Sequence, residues 1–447
     1  MKIKLIILFF LLLINLELAA QGWQPLITLQ GAGTTAMKVN SVGDLFFTTA
    51  SYNYPVGQSA GVYRKVSGSF IINPISPSSG KSYNARAVET KGSSDVWVSF
   101  WGNPSMEQEG LYYSSNKGNT WMNTYSAGSN NNIFSIKANP NNEDVMIGTR
   151  NGVYLSTNNG LTFNPYNTGM ASNSWVYALD FLLDYAFAAT SNGLYRKSAA
   201  GNWEIVSGIL PQDTPKTITH SGNHYYVGSS KGNIYFASSV TAVLLSVYSF
   251  TSAKIMSMIS MEDSFQNFLE FFLAAKDINT DLLGPGLYNS HNNASNWTDF
   301  STGINDPNNV SALCGDVNGN NIRLYAGSFD NTTNGVRIYQ RDYTVGIIQL
   351  SSSVPENFSL FQNFPNPFNP STRIRFKIKN NAEVKLTVFN SLGKEISTLV
   401  NENLIAGSYE TEFNGSEYNS GVYLYKLEVK GNSGTEFNEI KKMIFLK

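Results

Sequence analysis

Hydrophobic and polar positions alternate in short runs along most of the chain, and the runs recur as a unit. Apolar positions alternate from Ile133 to Ala138 as one strand, Asp144 to Gly148 forms a second, and Gly152 to Ser156 a third. A polar turn, Thr157-Asn158-Asn159-Gly160, then leads to Phe163, which opens a fourth run. Short alternating runs divided by Asn, Gly and Ser predict antiparallel hairpins. A near copy of the last hairpin runs from Gly110 to Trp121, and looser copies begin at Gly61, Gly193, Gly232, Gly286 and Gly335. Seven copies spaced about 40–55 residues apart predict seven four-stranded units arranged radially.

The expected fold is therefore all-β, a seven-bladed β-propeller over residues 21–345. Gly22-Trp23-Gln24-Pro25-Leu26 reads like the outer strand Asn202–Val206 without a blade before it. It is predicted to pair with Val336–Arg341, which would close the ring without a free sheet edge. The glycine–tyrosine period then stops. Residues 346–356 read as a polar linker, and residues 357–447 as a small Ig-like β-sandwich. Its strands are expected at Arg373–Ile378, Glu383–Phe389, Glu395–Val400, Ser408–Phe413, Gly421–Val429 and Glu436–Leu446.

With 447 residues, two or more domains are expected. A formal net charge of −1 gives no electrostatic case for nucleic acid or an anionic membrane surface. Lys2 and Lys4, the apolar run Leu5–Ile14 and then Ala19-Ala20 read as a secretory signal peptide over residues 1–20. That run is too short to span a bilayer, and no later stretch predicts a transmembrane segment. Cys314 is the only cysteine, so no intrachain disulfide is available.

The tail contains Asn363-Phe364-Pro365-Asn366-Pro367-Phe368-Asn369-Pro370, then Gly421-Val422-Tyr423 and the terminal Lys441-Lys442-Met443. In these motifs and their order it resembles the C-terminal sorting domain of the type IX secretion system. The resemblance implies the type IX translocon and its tail-processing machinery as partners. It further implies a protein that is secreted, or attached to the outer cell surface, after passing through the periplasm.

The repeat itself resembles the Asp-box (BNR-like) propellers, with the hairpin Ser-x-Asp-x-Gly-x-Thr-Trp. Ser114–Trp121 and Ser156–Phe163 fit, with Asn116 and Asn158 in the Asp place, while Ser290–Trp297 has Ala294 where glycine belongs. Side-chain oxygens can hold such a turn, glycine can take a positive φ, and the aromatic can cover the hairpin. The box is thus a folding device and carries no chemistry of its own.

Candidate chemistry is sparse. No catalytic residues, metal site or cofactor are expected. His220 and His224 flank a tight turn without a nearby carboxylate in sequence, which falls short of a metal site. On the face opposite the box hairpins, the connections between second and third strands lengthen in blades six, seven, one and two. They offer Tyr52, Tyr54, Asp277, Asp281 and Asp330, with Trp101 ending a strand beside them. Aromatic faces beside carboxylates suit a glycan or a surface-protein ligand. The expected function is a non-enzymatic binding or adhesion module. The alternative is a glycoside hydrolase using two loop carboxylates.

Overall fold

Every regular element among the described residues is a strand, apart from one short 3-10 turn at Pro307–Asn309. The computed structural model describes residues 22–30, 33–50, 61–69, 71–76, 84–101, 109–126, 132–262, 268–277, 286–290, 294–304, 307–318, 321–330, 335–344, 348–351, 354–415, 418–431 and 434–447. The expected signal segment and Tyr52, Tyr54 and Asp281 lie outside the described residues. Contacts divide the chain into two compact units after Tyr343.

The first unit holds seven four-stranded antiparallel sheets among its described residues. Sheet 1 runs Gly33–Val39, Leu45–Ala50, Gly61–Lys65 and Ile72–Pro74. Sheet 2 runs Asn84–Lys91, Asp95–Trp101, Gly110–Ser114 and Met122–Tyr125, and sheet 3 runs Ile133–Ala138, Val145–Thr149, Gly152–Ser156 and Asn164–Pro165. Sheets 4, 5, 6 and 7 begin at Val176–Leu182, Pro215–Ser221, Ala253–Glu262 and Val310–Asn318. First strands of consecutive sheets touch, and that of sheet 7 touches that of sheet 1, so the series closes on itself as a propeller-like ring.

The outer strand of sheet 7 is Gln24–Gln30, antiparallel to Gly335–Thr344 with Gln24 opposite Gln340. Just before it, the buried Trp23 sends its indole Nε1–H to the Phe300 carbonyl (2.8 Å) of sheet 6. Trp121 does the same to Ile75 (2.6 Å) and Trp203 to Tyr166 (2.5 Å), in each case on the preceding sheet. An outer-strand tryptophan is therefore a recurring tie between neighbours.

Burial follows from this arrangement. The second strands Leu45–Ala50 and Val145–Thr149 are buried at every position, instead of alternating. Phe46 packs with Val88 and Val96 of sheet 2, whereas its neighbour Phe47 packs with Tyr325 and Ile338 of sheet 7. In the same way Trp97 faces Ile133 and Val145, and Met146 faces Val176 and Tyr195. Both faces of a second strand meet another sheet, so both must be apolar. Each such side chain contributes about 1.5–3 kcal/mol when fully buried.

The hairpins between third and fourth strands are held locally. The Ser114 hydroxyl donates to Asn116 Oδ1 (2.9 Å), the Gly118 N–H donates to Ser114 Oγ (2.8 Å) and the Thr120 N–H to Asn116 Oδ1 (2.9 Å). Ser156, Gly160, Asn158 and Thr162 repeat this at 2.8, 2.8 and 3.0 Å. Each hairpin then docks on the sheet before it. Lys117 reaches Asp44 (3.1 Å), and Asn159 reaches Asp95 (3.1 Å) and the Tyr113 hydroxyl (3.2 Å). Aspartates at the starts of second strands are thus anchor points for the next hairpin.

Among its described residues, the second unit has two four-stranded sheets enclosing an apolar core that includes Phe376, Leu386, Tyr425 and Phe445. One expectation needs correcting here. The stretch read as a linker contributes a strand, Ile348–Ser351, paired with Gly407–Asn414. The exposed backbone edge of Gly407–Asn414 supplies partners that a polar segment accepts as readily as an apolar one.

Gly160 sits at φ 79°, and a Cβ there would lie 2.3 Å from the Trp97 indole nitrogen. Gly160→Ala should lower unfolding free energy by at least about 2 kcal/mol, strain and overpacking together. Gly92→Ala, at φ 58° in open space, should cost only about 1 kcal/mol. Urea denaturation of the two variants checks the difference, and equal losses would disprove the hairpin-to-sheet packing.

Candidate binding site at the mouth of the central channel

The first strands surround a channel cavity of ≈ 520 Å³, and each carries the same irregularity near its start. In sheet 2, Ala85 pairs with Phe100 and Ala87 with Ser99, leaving Arg86 unpaired. Equivalent breaks leave out Phe134, Tyr177, Lys216, Met256, Ser311 and Thr35. An extra residue in one strand bends it and re-aims the unpaired side chain. Seven sheets therefore offer seven re-aimed side chains at one end of the channel. It is the end at which second strands pass to third strands.

The residue opposite each bulge is small: Thr48, Ser99, Gly148, Ala189, Gly228, Ala274 and Gly327. At Gly228 a Cβ would come within 2.6 Å of Ile255 on the next sheet, and at Gly148 within 2.6 Å of Val176. Close approach of the neighbouring first strand explains the preference. This run of small residues is the signal from which the bulges could have been found in the sequence.

On sheets 2 to 5 the re-aimed side chains join with Trp101, Arg150 and Trp175 into an arc. The Arg86 guanidinium lies 4.2 Å from the centre of the Trp101 ring, and Trp101 meets Phe134 edge to face at 4.9 Å. Phe134 stacks with Trp175 at 5.8 Å and meets Tyr177 at 6.2 Å. Arg150, in the turn between strands of sheet 3, covers Trp175 at 4.6 Å, and Lys216 covers Tyr177 at 3.3 Å. Cations over aromatic faces are held by the ring quadrupole, so the arc is organised before any ligand arrives. Burial and the like charge of Lys254 bring the Lys216 pKa down to about 8.

Three or four residues beyond the bulges, charged side chains bridge adjacent first strands inside the channel. Lys38 pairs with Glu89 (3.2 Å), Lys137 with Asp180 (2.7 Å), and His220 Nδ1 with the other oxygen of Asp180 (2.8 Å). Burial works to raise the Asp180 pKa, but Lys137 and His220 outweigh it and hold the carboxyl well below the usual range. For Lys137 burial is likewise outweighed, by Asp180 and Glu89, and its pKa rises. The expectation that His220 lacks a carboxylate neighbour is corrected: the adjacent sheet supplies one. His224 instead lies against Phe236.

Of the expected ligand-binding residues, Trp101 is in the arc, with its Nε1–H on the Ile133 carbonyl (2.8 Å). Asp277 and Asp330 end second strands of sheets 6 and 7 at the same end of the ring, but their side chains are outside the described part. Arg86, Phe134, Arg150, Trp175, Tyr177 and Lys216 lie on sheets 2 to 5, where most connections between second and third strands are short, so loop length gives no sign of them. Cys314 is buried among apolar side chains, and burial pushes its thiol pKa up.

In the second unit, the motif at Asn363–Pro370 crosses one end of the two sheets. Asn363 is buried and bonded within the unit: its N–H donates to the Tyr425 hydroxyl (2.8 Å) and its Nδ2 to Thr372 Oγ1 (2.8 Å) and the Pro365 carbonyl (3.1 Å). Phe368 is buried against Phe445, with ring centres 5.0 Å apart, and Asn366 Oδ1 accepts from the Ile444 N–H (2.9 Å). Peptide bonds before Pro365, Pro367 and Pro370 are cis. Asn369 is exposed, and the Pro370 carbonyl accepts from Gly415 (2.8 Å). Gly421 opens a strand in which Tyr423 sends its hydroxyl to the Asn419 carbonyl (2.7 Å). Lys441 pairs with Glu439 (2.9 Å), and the Lys442 carbonyl accepts from Gln362 (2.7 Å).

Residues 362–444 match the family described as the secretion system C-terminal sorting domain. The tail is a sorting domain of the type IX secretion system. A sorting domain indicates export and attachment at the cell surface. Among the described residues no helix is long and apolar enough to cross a membrane. A comparison with curated proteins found no match.

The chain is also similar to several solved structures. One is the extracellular domain of BT4673 from B. thetaiotaomicron, at TM-score 0.51 and 13% identity, covering 81% of this chain and 45% of that one. Another is YCF48 from Cyanidioschyzon merolae, at 0.50 and 10%, covering 72% and 98%. A third is the GH74 xyloglucanase from Xanthomonas campestris, at 0.50 and 14%, covering 79% and 59%. At such identities the likeness is one of fold, a β-propeller-like ring.

Asp180 should contribute stability in full above the ordinary carboxylate pKa, and lose it as pH falls below about 4 towards its depressed value. Asp180→Ala should cost about 3 kcal/mol at pH 7, because Lys137 is left without its partner. The loss should shrink as wild type is acidified, which denaturation at pH 7 and pH 3 measures; an equal loss at both would contradict the ion-pair account.

Proposed function

We propose that the chain is a cell-surface binding module without chemistry of its own. On this reading residues 1–20 are a signal peptide, residues 21–345 a seven-bladed Asp-box-like propeller, and residues 357–447 an Ig-like sorting sandwich. The type IX translocon and its processing machinery act on the tail, and the ring meets a glycan or a surface protein outside. The observation that carries the reading is the arc of aromatic and cationic side chains at the channel mouth. Bulges on sheets 2 to 5 supply Arg86, Phe134, Tyr177 and Lys216, strand ends and a turn add Trp101, Trp175 and Arg150, and interaction sites are commonly built on such rigid supports. Tyr52, Tyr54, Asp277, Asp281 and Asp330 are proposed to extend the site around the rim.

The rival glycoside hydrolase needs two carboxylates placed either side of a sugar bond. The two carboxylates described inside the channel, Glu89 and Asp180, are each engaged with a lysine. Their engagement supports binding over hydrolysis.

The secreted full-length chain should bind one or more polysaccharides on an array and release no reducing ends from them. Trp101→Ala should weaken that binding at least tenfold, about 1.4 kcal/mol, since an aromatic anchor and the seat of Arg86 go together. Sugar release by the wild type would favour the hydrolase, and undiminished binding by Trp101→Ala would move the site away from the arc.

A further inference from the structure

We infer that the ligand taken at the channel mouth is an acidic polysaccharide, with its carboxylates held by Arg86, Arg150 and Lys216. The inference rests on the binding reading above and names its ligand class. Three observations carry it. No ion pair involves Arg86, Arg150 or Lys216 among the described residues, although other buried or half-buried cations, such as Lys137 and Arg64, have carboxylate partners. The Nε atoms of Arg86 and Arg150 are buried without a hydrogen-bond partner, as is that of Arg64, but Arg64 places its other nitrogen on Asp44 and these two have no such carboxylate among the described residues. Both guanidinium groups are seated on indole rings, which orients a planar fork suited to a carboxylate.

The interleaving of charge and ring selects among anions. Along the arc the order is cation, ring, ring, ring, cation, from Arg86 through Trp101, Phe134 and Tyr177 to Lys216. A uronic acid unit offers a carboxylate edge and an apolar C–H face on one ring, so successive units of a polymer answer both features. An acidic peptide brings carboxylates but no apolar face beside each. Burial and Lys254 disfavour the charged form of Lys216, and an arriving carboxylate would restore it. Attachment at the cell surface puts the arc where extracellular polymers are met.

The test is calorimetric titration of the secreted full-length chain with polygalacturonate, its fully methyl-esterified form, and polyglutamate. Polygalacturonate should bind, with the ester and polyglutamate each at least tenfold weaker. Arg86→Gln and Arg150→Gln should each lower affinity about tenfold, and added salt should weaken wild-type binding. Wild-type affinity should also fall as pH rises from 7 to 9 through the Lys216 pKa, a fall that Lys216→Met should lack. The wild-type pH profile keeps the test decisive even if an arginine variant folds poorly. Equal binding of the ester, tighter binding of polyglutamate, failure to bind polygalacturonate, or a flat wild-type pH profile would each overturn the inference. Binding of the ester that remains sensitive to Trp101→Ala would overturn it while leaving the binding-module reading intact.

Discussion

Among the described residues, the apolar cores of the ring are shared between sheets. The apolar clusters lie between consecutive sheets, Phe46 with Val88, Trp97 with Ile133, Met146 with Val176, Phe187 with Tyr225, and Tyr226 with Phe271. A four-stranded unit alone would expose both of its faces, so each is stable only between two others. That constraint explains the continuous burial of second strands, the tryptophan ties between outer strands, and the docking of hairpins on the preceding aspartate. It also accounts for the closed circuit, since an open series would leave two apolar faces in water.

Much of this could be read from the residues. Recurring glycine–tyrosine units placed the third strands, and the Ser114 and Ser156 hairpins bond as their letters suggest. The likeness of Gly22–Leu26 to Asn202–Val206 placed the first residues on the outer edge of sheet 7. Those features are local, or repeat in register. The strand at Ile348–Ser351 was illegible because its formation depends on a distant edge rather than on its own pattern. Two-sided burial of the second strands shows in their uninterrupted apolar residues, Leu45-Phe46-Phe47 and Val145-Met146-Ile147, but which sheets cover them does not.

The channel mouth was half legible. Trp101 stands out because an aromatic at a strand end near polar turns invites attention. Arg86, Phe134, Tyr177 and Lys216 look like ordinary members of alternating strands, and their role depends on a bulge that one sequence repeat does not reveal. Only the aligned set of Ser99, Gly148, Ala189 and Gly228 hints that something bends opposite them. The Asp180–His220 pair joins different repeats, and no spacing within either foretells it.

The N-terminal strand has a consequence for the order of events in assembly. Trp23 binds the Phe300 carbonyl across 277 residues of chain, among the longest-range contacts in the ring. The first part of the ring to be synthesised therefore finds its partner only when the last sheets exist. Contacts of such separation slow folding, because loop closure must precede the reward. A chain destined for the cell exterior would keep its final latch open for as long as its far end is still being made.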